Sequence, residues 1–321
     1  FARERATHVY SDFQSNFGLP ETVSVTVKVS PSDGGQVSLN GVPMLPSYDD
    51  TVEVFQGLTF DAQAIAAPGY AFVGWSTDET SAQIDLTLQA NEILTATFRA
   101  IDEVVLPAVI AADLTLTADA VYTATGNITV PRGVTLTILQ GVTLRLAENA
   151  DMRIAGNLQI AGNAERPVHI ESRSPGQRWG SIALVDAEGG SHLSHVILRG
   201  GSLGENPVYE RGAISIVRSE VEMDHLDLDD VLIPIFGWES KVTLRSSRIH
   251  TAFTGDGINV KHGEGLVEDC TFRGNSARDT DAIDFDDVVN GIIRNNRIYA
   301  FQGPNSDGID VGEGCVDLLV T

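Results

Sequence analysis

Between Ile101 and Thr321, apolar and polar residues alternate in short runs, and the runs fall into columns. The segments "SHLSHVIL", "VEMDHLDL", "VTLRSSRI", "GLVEDCTF" and "GIIRNNRI" align to put Leu193, Met223, Leu244, Val267 and Ile293 in one column. Leu198, Leu228, Ile249, Phe272 and Ile298 make a second. A third holds Ile182, Ile214, Ile235, Ile258, Ile283 and Ile309, at intervals of 32, 21, 23, 25 and 26 residues. No run in this period is long enough or spaced for a helix, so the pattern predicts stacked coils of short parallel strands, with like residues about 4.8 Å apart. The earlier half follows suit: "GVTLTI", "GVTLRL", "NLQI" and "RPVHI" alternate between Gly-bearing turns.

The pattern differs upstream. Residues 1–20 place Ala6, Val9, Tyr10, Phe13 and Phe17 at helical spacing and end on Gly18 and Pro20, which predicts one short amphipathic α-helix whose apolar stripe needs a partner. Residues 21–100 switch to period two, opening with "TVSVTVKVS", and predict a small all-β module. The predicted order is therefore helix (1–20), β module (21–100) and β-solenoid (101–321), an all-β protein.

Three resemblances sharpen this. Gly57, Ala64, Pro68-Gly69-Tyr70, Phe72, Gly74-Trp75 and Thr95-Ala96-Thr97-Phe98 make the module resemble the divergent internalin-type repeats of bacterial surface proteins, over about 75 residues. That likeness implies a spacer or adhesion module without catalysis. Tyr70, Phe72 and Trp75 are expected in its core rather than stacked on sugar. The opening "FARERATHVYSDFQSNFGL" resembles the closing segment of CotH-kinase-family domains, which implies a phosphotransfer centre upstream of Phe1. The solenoid, with "QRWGSIAL" around Trp179, is similar to the right-handed parallel β-helix of secreted bacterial proteins. Together these imply an extracellular or bacterial cell-surface location.

Charge narrows the partners. The chain carries 44 acidic and 21 basic side chains, a formal charge of −23, and this disfavours nucleic acid and anionic membranes while tolerating calcium. No apolar run approaches the roughly 18 residues of a membrane span. Cys270 and Cys315 lack metal-ligand spacing, and Cys270 reads as a buried small side chain in a polar ladder with Ser247 and Asn296. A first residue of Phe, and a last segment "GCVDLLVT" that stops in mid-alternation, suggest a chain that continues at both ends.

Chemistry concentrates in two columns. Asp256, Asp281 and Asp307 each precede a strand and are expected to accept nearby backbone N–H groups, a constructional role. Outward positions run Ser215, Phe236, Asn259, Asp284, Asp310 and, two residues on, Val217, Trp238, Lys261, Asp286, Gly312. An exposed strip of this kind suits a sugar chain: Phe236 or Trp238 can stack on a ring, Asn259 can bond it, and Asp284, Asp286 and Asp310 can hold calcium or transfer protons, with Lys261 as base. Neighbouring coils place the Asp284 and Asp310 Cβ atoms about 5 Å apart, which opposes full ionisation and suits a retaining glycosidase pair. Secreted β-helix families include pectin-type lyases and hydrolases, but no Gly-His-Gly or Arg-x-Lys motif occurs here, and "KHGEG" is a loose substitute. The competing reading is a solvated acidic face that discourages aggregation. His195 and His225 share a column without an evident third ligand, and read as a surface pair. The insertion "RGGSLGENPVYERGA" before Ile214 is expected to wall a groove, with Glu205, Tyr209, Glu210 and Arg211 as its reactive side chains.

The sequence thus favours a non-catalytic extracellular part of a larger CotH-like protein, used for display, adhesion or carbohydrate binding, with no required cofactor. A polysaccharide lyase or glycosidase acting through the outward acids, and a filament subunit that self-associates through the end of the solenoid, are the alternatives.

Overall fold

A computed structural model describes residues 2–44, 51–67, 69–251 and 255–321, with the side chains of the helix described from Val9 onward. Pro68, and the side chain of Ala6, therefore lie outside the described residues. The chain forms two compact units, Phe1–Asp102 and Glu103–Thr321.

The first unit opens with the helix Ala2–Phe17. Its stripe packs only in part. The Tyr10 ring meets Phe55 edge-on at 5.7 Å and its hydroxyl donates to the Glu53 carbonyl at 2.9 Å, whereas Val9, Phe13 and Phe17 stay exposed. Two four-stranded sheets follow. Alternation in Thr22–Ser30 buries Val23, Val25 and Val27 against Ala62, Leu94 and Phe98. Trp75 lies in this core, its indole N–H donating to the Ser81 carbonyl, and Phe72 bridges Trp75 and Phe98 at 5.4 and 5.6 Å. Tyr70, Phe72 and Trp75 serve packing, as expected of inward positions in a strand.

The second unit is a parallel β-helix whose described residues form three long sheets, of nine, nine and eight strands. In one coil the chain contributes Thr135–Leu139 to the first sheet, Thr143–Leu146 to the second and Met152–Ile154 to the third, then climbs to the next. All three apolar columns emerge in register. Ile182, Ile214, Ile235, Ile258, Ile283 and Ile309 pair in succession, and so do Leu193, Met223, Leu244, Val267 and Ile293. One continuous core runs through the coils, with Trp179 fully buried and its indole N–H donating to the Arg199 carbonyl at 2.7 Å.

Turns are what keep the coils in step. Between the first and second sheets stand His195, His225, Ser246, Asp269 and Asn295, all in the left-handed region at φ 47–56°. Each of the first four donates its N–H to the carbonyl just before its counterpart one coil on, as His195 does to Asp224 at 3.1 Å. A single left-handed residue bends the chain sharply at a conformational expense of about 1–2 kcal/mol, and short polar side chains tolerate it best. Just inside the bend, Ser247 Oγ accepts from the Leu226 N–H and Asn296 Oδ1 from the Cys270 N–H. The polar ladder read from the sequence exists, and burial pushes the Cys270 thiol up to about 11.

Candidate functional site

The third sheet carries the outward columns in the expected register. Ser215, Phe236, Asn259, Asp284 and Asp310 are neighbours in succession, as are Val217, Trp238, Lys261 and Asp286. Gly312 continues the second row, where a Cβ would stand 1.7 Å from Asp286 Oδ1, so only glycine lets the carboxylate lie there. These side chains do not make a uniformly exposed strip. Ser215 and Val217 are fully buried, and Phe236 is 2% exposed. Burial of Phe236 corrects its assignment as an open stacking platform: the Arg211 guanidinium sits 5.2 Å from the centre of its ring. Trp238 is half-buried, its ring edge-on to His262 at 4.6 Å.

Below this cover the strip opens into a pocket of about 350 Å³. Arg211, Phe236 and Ile233 border one end, Asn259, Lys261, Asp284 and Asp310 belong to the sheet, and Asp256, Asp279, Asp281 and Asn305 come from the turns. Asn259 sits between two acids, its amide nitrogen donating to Asp256 Oδ2 at 2.8 Å and to Asp284 Oδ2. Its oxygen is buried and has no partner among the described residues. Lys261 Nζ pairs with Asp286 and stands 3.8 Å from Asp284 Oδ2. A lysine ammonium thus occupies the space between two of the three carboxylates assigned to calcium. Asp286 does not line the pocket.

Burial pushes the Asp284 carboxyl up to about 7, and the charges of Asp256, Asp286 and Asp310 add to this against the pull of Lys261. Burial also raises Asp281, to about 6, against the Asp307 N–H that it accepts. Asp256 and Asp281 have the constructional role in a particular form, bonding across coils: Asp281 N–H donates to Asp256 Oδ1 at 3.0 Å and Asp307 N–H to Asp281 Oδ1 at 2.5 Å. Asp256 and Asp281 therefore do both jobs, pinning successive turns and facing the pocket. Sequence reasoning missed Asp279 and Asn305 as pocket residues; a turn column one step outside the strands was the signal available.

The insertion is held by an ion-pair cluster rather than offering free acids. Arg153 bonds Asp151 and Glu205 through Nη2, at 2.9 and 2.8 Å, and Glu210 through Nε at 2.9 Å. Asp151 also accepts the Ser181 and Glu205 N–H groups, and Glu210 accepts the Asn206 N–H. Tyr209 lies beneath the Arg218 guanidinium at 5.3 Å. Of the four side chains singled out in the insertion, only Arg211 reaches the pocket. The histidine column differs in another way: the rings of His195 and His225 stack, and Asp224 lies beside them as a third ligand-type group that column alignment did not reveal.

Among the described residues no helix is long and apolar enough to cross a membrane. No curated protein matches the chain. A model of the divergent InlB B-repeat domain family matches residues 25–102, so the β module of the first unit is similar to that typically surface-associated class of repeat.

Proposed function

We propose that the protein is an extracellular surface protein whose β-helix binds carbohydrate, without cleaving it, in the pocket between Arg211 and Asp310. The observation that carries this reading is the pocket itself: carboxylate oxygens of Asp284 and Asp310, set on adjacent rungs of one rigid sheet, line a cavity of about 350 Å³ that can take a sugar ring. Saccharide hydroxyls are donors that such oxygens recognise, and strand positions hold them with little reorganisation. The module at 25–102 then acts as a spacer, and the opening helix as the tail of an upstream CotH-kinase-like domain. Calcium is a weaker occupant, because it would have to displace the Lys261 ammonium. Calorimetric titration with a panel of neutral, amino and acidic oligosaccharides tests the reading. Asp310→Ala, an exposed substitution, is expected to weaken binding of the best ligand at least tenfold with unchanged melting. Equal binding by the variant, or no binding by any saccharide, would sink it.

A second reading has one observation in its favour. The Asp284 carboxyl is pushed up to about 7 and pairs in register with the exposed Asp310, the division of labour of a glycosidase acid and nucleophile. Incubation with polysaccharides, with and without calcium, would then release reducing ends or unsaturated products. Release that persists in Asp284→Ala would come from elsewhere.

A further inference from the structure

Away from the pocket, the turn between the first and second sheets brings together a group suited to a different ligand. His195 and His225 occupy equivalent left-handed positions on successive coils, both at φ 52°. Their rings lie parallel within 3°, with centroids 4.2 Å apart. Asp224, just before His225, places Oδ1 2.7 Å from His225 Nδ1. The same oxygen accepts from Ser194 Oγ at 2.8 Å, and Ser194 Oγ is 2.9 Å from His195 Nδ1. The other oxygen, Oδ2, lies 2.7 Å from His192 Nε2. Among the described residues, this is the one trio of His, Cys, Asp or Glu whose ligand atoms all lie within 4.8 Å of one another.

We propose that His195, Asp224 and His225 form a binding site for a divalent transition-metal ion of the zinc type. Two imidazole nitrogens and one carboxylate oxygen are a donor set that zinc, nickel and copper favour, whereas calcium and magnesium require oxygens throughout. Asp224 is oriented by His192 and Ser194, the outer partners that a metal-binding carboxylate needs. His195 and Asp224 are half-buried and His225 is exposed, so an ion can enter and keep water in its remaining position.

Parallel rings do not aim their lone pairs at one point. Capture therefore requires each imidazole to tilt about its Cβ–Cγ bond, bringing the two nitrogens to the separation of about 3.3 Å that tetrahedral bonds of about 2.0–2.1 Å demand. The stacked pair is then the metal-free arrangement, and a change in ring geometry is the signature of binding.

Titrating the full chain with zinc chloride, and separately with nickel chloride, in a buffer that does not bind metal tests the site. The expected result is one equivalent of zinc bound with micromolar affinity, undisturbed by millimolar calcium. His195→Asn and His225→Asn keep a residue that tolerates the left-handed turn, as Asn295 does three coils after His225, and each is expected to weaken zinc at least tenfold. Asp224→Asn should do the same, while His262→Asn, in a different turn, should leave affinity unchanged. Circular dichroism and melting of each variant show that the coils are intact. As a second readout, the copper(II) paramagnetic resonance spectrum should show nitrogen hyperfine coupling that disappears in the doubly substituted protein. Absence of saturable zinc binding, or unchanged affinity in the His195→Asn/His225→Asn protein, would overturn the proposal.

Discussion

The Asp284 carboxyl is pushed up to about 7 because the residue is 8% exposed and faces three other acids with one lysine for relief. A carboxyl whose folded pKa stands above its unfolded value of about 3.9 binds more protons in the native state, so stability falls as pH rises from about 4 to about 7. Asp281 acts in the same sense up to about 6. Acids held below the ordinary range, such as Glu268 between Arg245 and Arg294, work the other way, but only below about pH 4. His169 and His195, lowered mainly by burial, oppose the trend below about pH 6.5. The difference between wild type and Asp284→Asn isolates the first effect. The variant should melt several degrees higher than wild type at pH 8 and match it near pH 4, read by circular dichroism at both pH values. Equal melting at pH 8 would show that Asp284 is ionised without penalty.

Elements other than strands decide what this face of the β-helix can do. Arg153 is the only cation bonded to Asp151, Glu205 and Glu210 among the described residues, and the Asp151 side chain is fully buried. Arg153→Met would leave buried carboxylates unpaired, a loss of about 3–5 kcal/mol where such pairs are broken. The expected outcome is a lower melting point and proteolytic nicking within 200–212; an insertion as resistant as in wild type would contradict the anchoring. None of this was legible in the sequence. Arg153 lies more than 50 residues before Glu205, and its partners are neighbours only because two coils bring Met152, Ile182 and Ile214 into line. Alternation disclosed Asp284 beside Asp310, since pleating alone fixes which side chains share a face. It could not disclose the covering of Phe236, because Arg211 arrives from a loop with no period. The left-handed columns were half visible as recurring His, Asp and Asn at strand ends, without the bend that makes them touch.

At the scale of the whole chain, each of the two units has a core of its own. Two heat-absorption transitions are therefore expected by differential scanning calorimetry, and the one for residues 103–321 should be the transition that moves with the Arg153 and Asp284 substitutions. A single transition shifted as one by both variants would argue against independent units. Within the β-helix, pairing runs from each coil to the next, and this has a genetic corollary. A slip that drops one whole period, such as 235–257, would seat Ile258 over Ile214 and carry the acids one step nearer the insertion. A slip of an odd number of residues inside a strand would turn the isoleucines outward and the acids into the core. Whole coils can be gained or lost only in quanta of about two dozen codons, whereas smaller changes are confined to turns such as the one that carries 199–213, and each quantum resets how deep the pocket lies.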